Sequence, residues 1–260
     1  MSKKLTVLIY THNEEKNITD CLKSALALSS KIIVIDMESS DQTTTRAFKL
    51  AAKVINFPFS HYVEPARKFG IDQVKTDWVF ILDADERISP DLVREIKKSL
   101  NSKEFTHYKV PRKNIFGTTW LKHGGWWPDY QIRLINKKFF KDWPKQIHST
   151  PIVKGASALL QNPLDHYFHG NVEKMVEKTL VFENIEAGLL FSAKKKINTV
   201  IFFRKFLGEL FRRLIGHAGF LDGPVGIIES IYQAFSKTIT YLYLYEKKHK
   251  SACIPAGRSL

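Results

Sequence analysis

Only two cysteines, Cys21 and Cys253, occur in the 260 residues, far apart and in no metal-knuckle or redox spacing. That excludes a disulfide framework and a zinc motif, and a reducing compartment follows as the default. Long apolar runs are missing too. No window reaches the roughly 18 apolar residues of a membrane-spanning helix, and the run Leu5 to Tyr10 is too short for a signal-peptide core. The chain is therefore expected in the cytoplasm. Acidic residues are scarce, 26 against 40 lysines and arginines, giving a formal net charge of +14. A field of that sign gathers anions, which leaves nucleic acid, anionic lipid and phosphorylated substrates as partner classes.

What is present is enough apolar residue, 44%, for a sizeable core. The first half alternates short apolar strands, 5 to 10, 31 to 36, 53 to 56 and 78 to 83, with helical spacing in "EEKNITDCLKSALAL", "QTTTRAFKLAA" and "EPARKFGIDQVK". That alternation marks an α/β fold, a mostly parallel sheet flanked by helices. "SPDLVREIKKSL" announces a further helix with Ser89 as cap and Pro90 at its first position. From about 105 to 160 the pattern turns β-like around an aromatic, glycine-containing segment, and from 171 onward it is helical. The expected domains are an α/β one over 1–170, with halves 1–104 and 105–170, and a basic helical extension over 171–250.

In "KKKINTVIFFRKFLGELFRRLI", Val200, Phe203, Leu207, Leu210 and Leu214 share one face, while Lys194, Lys195, Lys196, Arg204, Lys205, Arg212 and Arg213 supply the rest against Glu209 alone. Such a basic amphipathic helix suits an anionic membrane surface, although packing on the domain is open as well. The next helix carries Glu229, Gln233 and Lys237 as one polar stripe. No aromatic and basic interleaving of a nucleic-acid-binding strand occurs, so no nucleic-acid partner is expected.

In an open parallel sheet ligands bind beyond the carboxyl ends of strands. Asp36 ends the second strand and Asp83 the fourth, followed at once by Asp85 and Glu86. The turn after the first strand, "THNEEKN", has no glycine, so it lacks the phosphate cradle of a dinucleotide-binding domain. A diphosphate would need neutralising otherwise, and a divalent cation, Mg2+ or Mn2+, on Asp83 and Asp85 would do so.

"LTVLIYTHNEEKNITDCL", "IIVIDMESSDQT", "ARKFGIDQVKTDWVFILDADERI" and "HGGWWPDYQIRL" together resemble the family 2 glycosyltransferases of GT-A fold. "WLKHGGWWPDYQIRLINK", "LQNPLDHYFHG" and "GFLDGPVGI" resemble, within it, the branch that adds glucose or a related sugar to the lipopolysaccharide inner core. The resemblance runs from residue 5 to about 245 and makes 1–170 the catalytic domain, with 1–104 its nucleotide-sugar half and 105–170 its acceptor half. It implies inverting transfer of a hexose from a nucleotide sugar, UDP-linked by family inference, to a lipopolysaccharide-type or other lipid-linked glycan, on the inner face of the cytoplasmic membrane.

Carried over, it sets Thr11, Asn13 and Glu14 at the edge of the nucleotide pocket, Asp36 on the base and Asp41 in the loop beyond, where a helix-cap role is equally open. Arg67 falls near the nucleotide, Asp83 on ribose or metal, and Asp85 on the metal. Asp129 matches the catalytic base, with a turn role after Pro128 as its alternative. Trp126 and Trp127 could stack on a sugar, and Gln131 and Arg133 follow Asp129 at strand alternation, as acceptor contacts. His148, towards the acceptor, and His166, towards the metal, stand where relatives carry histidines. Ser149 replaces a common acid and leaves the acceptor open. A polyprenyl-phosphate or protein acceptor, and a non-catalytic polyanion- or membrane-binding protein, are the rival readings.

Overall fold

The computed structural model describes residues 5–50, 52–168 and 172–252. Cys253 and the boundary expected at 170/171 lie outside them. The described residues fall into two compact units, those of Met1–Asn114 with Pro128–Tyr167 and those of Ile115–Trp127 with Phe168–Leu260. The segment 115–127, expected with the acceptor half, thus groups with the helices.

The first unit opens with β1 (Leu5–Thr11), α1 (Ile18–Leu28), β2 (Ile32–Asp36), α2 (Thr43–Lys49), β3 (Lys53–Asn56), α3 (Glu64–Gln73) and β4 (Trp78–Asp83). Then come β5 (Glu86–Ile88), α4 (Pro90–Ser99) and β6 (His107–Phe116), the last running into the second unit, where β7 (Thr119–Trp120) pairs with its end. Back in the first unit follow β8 (Asp129–Asn136), β9 (Phe140–Asp142), β10 (Ile152–Val153), β11 (Ser157–Leu159) and β12 (Leu164–Tyr167).

The main sheet has the order β3-β2-β1-β4-β8-β6-β12-β5. It is parallel through β3, β2, β1 and β4, and β8 and β6 then join antiparallel. All seven β1 residues are buried because helices cover both faces, which is why this strand reads as a continuous apolar run. Alternate residues feed two cores. Val7, Ile9, Val34, Phe80 and Leu82 pack with Leu22 of α1 and Ile96 of α4. Leu8, Tyr10, Ile35, Val79 and Ile81 pack with Ala66 and Ile71 of α3. Gly70 lets α3 lie close on β1, since a Cβ there would sit 2.5 Å from the Tyr10 hydroxyl. At α4 the Ser89 hydroxyl accepts from Leu92 N, the capping bond its sequence announces.

The second unit is helical: α5 (Val172–Ser192), α6 (Thr199–Phe211), a π turn over Arg212–Gly216 and α7 (Gly223–Ala252). The amphipathic stretch is helical from Thr199, and its Lys194 to Ile197 precede the helix. Asp222 fastens the 115–127 segment to this unit. It accepts from the Lys122 and His123 backbone and pairs with His123 Nδ1 at 2.7 Å, while Arg213 donates to the Gly124 carbonyl.

Candidate active site

The chain leaves β1 for β2 on one side and later returns to β4 on the other, so strand order reverses at β1. The crevice beyond the carboxyl ends is set there. Register makes the placement explicit, with Thr11 opposite Asp36 and Tyr10 opposite Asp83. The two strand-end acids therefore share one edge of the sheet.

Asp36 is buried. Its Oδ2 accepts from Ser39 N, while its Oδ1 has no hydrogen-bond partner, as is true of the buried Thr11 Oγ1. A cleft of about 400 Å³ lies beside it, lined by Asp36, Glu38, Ser39, Thr44, Phe48, Val54 and Asn56. Asn13 takes a left-handed backbone (φ 51°), donates its backbone N–H to Ser39, and accepts at Oδ1 from Ser40 N. Glu14 takes Asn17 Nδ2 on its carboxylate. Asp41 accepts from Thr43 N and its hydroxyl at one oxygen and from Glu15 N at the other. Asp41 thus builds the loop before α2 in the manner of an Asx turn, with both oxygens engaged.

The crowded acids separate. Asp83 is held by Arg67 Nη2 and by Arg133 Nη2, each at 2.8 Å. Arg133 also reaches Glu86 Oε1 at 2.5 Å, and Glu86 Oε2 accepts from Asp83 N. Two guanidinium groups thus offset the charge of Asp83. Burial alone would raise the Asp83 carboxyl, but the charges of Arg133 and Arg67 outweigh it and hold it far below the usual range. Glu86 is fully buried, and there burial prevails over Arg133, raising its carboxyl. Arg133 is itself buried, and its side chain braces Asp83 and Glu86. Arg67 rests over the Tyr10 ring, and its Nε and Nη1 are buried without hydrogen-bond partners.

Asp85 instead faces His166, whose Nε2 lies 3.5 Å from Asp85 Oδ2. The other ring nitrogen, Nδ1, meets Asn114 Oδ1 at 2.6 Å. Asn114 donates its amide N–H to Asp129, which fixes its carbonyl towards the histidine and makes Nδ1 the protonated nitrogen. Nε2 faces the Asp85 carboxylate, so the pair presents one ring nitrogen and one carboxylate, donor types that bind a divalent cation. Among the described residues no group of three or more His, Cys, Asp and Glu side chains is arranged to hold a metal. The donor set fits an ion that takes its remaining ligands from a diphosphate.

Asp129 opens β8 opposite Arg112 of β6. Arg112 donates to its Oδ2 from Nε (2.8 Å) and Nη2 (2.6 Å), and Gln131 Nε2 donates to Oδ1 (2.7 Å). Burial would raise this carboxyl, but the Arg112 charge and the bonds from Gln131 and Asn114 lower it. The alternation that groups Asp129, Gln131 and Arg133 holds, since all three enter one network of charges. Arg112 and Asn114 are not singled out by the sequence, and Glu86 stands there only as part of the acidic run. Arg112 and Asn114 carry the same i, i+2 spacing on β6 as Asp129 and Gln131 on β8, and that was the available signal.

Trp126 and Trp127 belong to the second unit. There Trp126 packs on Phe168 (4.9 Å between centroids) and Trp127 meets Trp120 edge-on. His148 is exposed with a left-handed backbone, and its N–H donates to Glu64 at the start of α3. Ser149 closes its turn by donating to the Pro144 carbonyl.

A parallel sheet with acids at its switch point, widened by antiparallel strands that bring in a further acid, defines a GT-A type of transferase. The glycosyl transferase family 2 model matches residues 6–168, and the chain belongs to that family. Uncharacterized glycosyltransferases of Rickettsia conorii and Rickettsia typhi are each 28% identical to it, over 99% and 98% of this chain and 95% and 91% of theirs. Glucosyl-3-phosphoglycerate synthase of Mycobacterium tuberculosis, solved with phosphoglyceric acid, shares the fold at TM-score 0.50 and 15% identity, over 72% of this chain and 79% of that one. The protein is a glycosyltransferase.

Proposed function

We propose that the first unit transfers a hexose, with inversion, from a UDP-sugar to a lipid-linked glycan of the lipopolysaccharide-core type at the inner face of the cytoplasmic membrane. The observation that carries this is the meeting of Asp129, Asn114, His166 and Asp85 in one chain of polar contacts, in a unit whose nucleotide-side acids end the strands on either side of β1.

Asp36 Oδ1 and Thr11 Oγ1, buried and unpartnered, suit a base that donates and accepts hydrogen bonds, in a loop shaped by Asn13, Glu14 and Asp41. Arg67, with two unpartnered nitrogens, suits a phosphate oxygen while its third holds Asp83. Asp85 and His166 would hold Mg2+ or Mn2+, which when bound neutralises charge on the leaving diphosphate. Asp129 takes the proton from the attacking acceptor hydroxyl. Its lowered pKa keeps it ionised at neutral pH, ready to accept, while Gln131, Asn114 and Arg112 fix its direction.

Calorimetric titration with UDP-glucose and other nucleotide sugars, with and without Mn2+, tests the donor reading on wild type and Asp85→Ala. Binding strengthened by Mn2+ in wild type only is expected. No heat from any nucleotide sugar in either condition would contradict it.

A further inference from the structure

In the second unit polar groups share the interior with apolar ones. Between α5 and α7 they lie alongside the buried Met175, Ala187, Ala234, Ile239 and Leu244. Glu183 accepts from Ser236 at 2.5 Å and from Thr240, and Thr179 bonds the Tyr232 hydroxyl at 2.7 Å. Glu229, 1% exposed, takes Gln233 Nε2. Facing outward are the apolar stripes. On α6 Val200 (74%), Phe203 (55%), Leu207 (57%) and Phe211 (65%) recur every three or four residues, and α7 presents Ile228, Ile231, Phe235 and Leu242 in the same spacing. In water this surface is unfavourable, and apolar patches of such extent mark a partner.

Charge identifies the partner. Lys194, Lys195, Lys196, Arg204 and Lys205 are all exposed beside the α6 stripe, so the surface pairs apolar side chains with cations. That combination matches an anionic lipid leaflet, whose headgroups meet lysine while its acyl region takes the phenylalanines. Among the described residues no helix is long and apolar enough to cross a membrane, so the helices lie in the interface rather than span it.

We infer that the α6 and α7 stripes insert into the acyl region of an anionic leaflet and hold the protein there by apolar burial, with the lysines as a second, electrostatic attachment. This deepens the membrane part of the proposed function and is independent of the donor reading. An attachment by charge alone would dissolve in salt, whereas one by insertion persists.

Co-sedimentation of the full chain with vesicles of phosphatidylcholine and about one third phosphatidylglycerol, in low salt and in about 1 M NaCl, where the Debye length is about 3 Å, separates the two. Wild type is expected to stay bound in both. A Phe203→Glu/Leu207→Glu variant, changed only at exposed positions, should lose roughly tenfold or more in partitioning, and Lys194→Gln/Lys195→Gln/Lys196→Gln should weaken binding in low salt alone. Full release of wild type by salt, or no binding to the vesicles, overturns the inference. So does a dimer seen by light scattering that the Phe203→Glu/Leu207→Glu change dissolves, because a second copy would then cover the stripe. Nucleotide-sugar binding titrated on the same proteins shows separately whether the donor reading stands.

Discussion

The two units handle burial in opposite ways. The first buries the apolar strands β1 and β4 on both faces and gathers its charges at the strand ends, where Arg67, Arg112 and Arg133 meet Asp83, Glu86 and Asp129. The second buries hydroxyls and two glutamates and turns phenylalanine and isoleucine outward. A charge cluster inside an apolar frame is costly unless each member is paired, and its geometry is correspondingly fixed. Outward apolar stripes are unfavourable in water and become favourable against an apolar environment. The proposed chemistry belongs to the first arrangement and the inferred attachment to the second.

The sharpest way to break this comparison is at the base. Asp129→Asn keeps the hydrogen-bonding shape but cannot take a proton, so sugar transfer should fall by about 10²–10⁴-fold with nucleotide-sugar binding retained. Unchanged turnover would remove Asp129 from its role. Next is Arg133→Met, which leaves the buried Glu86 and the half-buried Asp83 without their shared cation. A loss of about 3–5 kcal/mol in denaturant unfolding is expected, and a loss below about 1 kcal/mol would show the cluster relaxing by protonation.

Acid offers a gentler probe of the same contrast. Asp83 and Asp129 have folded pKa values below their unfolded ones. Their contribution is therefore fully present above the unfolded value of about 4 and is lost as pH falls towards the folded value. Glu86, raised, contributes in the opposite sense. Asp129→Asn should flatten the decline in stability between about pH 5 and 3, measured by denaturant titration, and an unaltered slope would contradict the lowered pKa. The smallest effect belongs to the second unit. Ser236→Ala removes one donor to Glu183 and should cost about 1 kcal/mol, seen as a shift in melting of the helices with the first unit's transition unmoved.

How far the sequence discloses these features depends on their range. β1, β2, β3 and β4 fall within a residue of their expected limits, β1, β2 and β4 because strands buried on both faces announce themselves as short apolar runs. The Ser89 cap is legible because a cap lies within three residues of its partner. The pairing of Arg133 with Asp83 and Glu86 spans 50 and 47 positions, and nothing local distinguishes a bracing arginine from one reaching for a substrate. Hence the bracing role of Arg133 and the burial of Glu86 beneath it are not legible in the sequence. Periodicity on α7 reveals the stripe of Glu229, Gln233 and Lys237 but not its direction. A 3.6-residue period defines two faces, and only packing decides that Glu229 turns inward while Ile231 turns out.

Hydrogen exchange of the full chain, with and without UDP-glucose and Mn2+, tests most directly whether donor chemistry resides in the first unit. Protection is predicted at residues 11–17, 36–43, 83–88 and 129–133, with α6 and α7 unchanged. Protection confined to the helical unit, with those segments exchanging as before, would contradict the account.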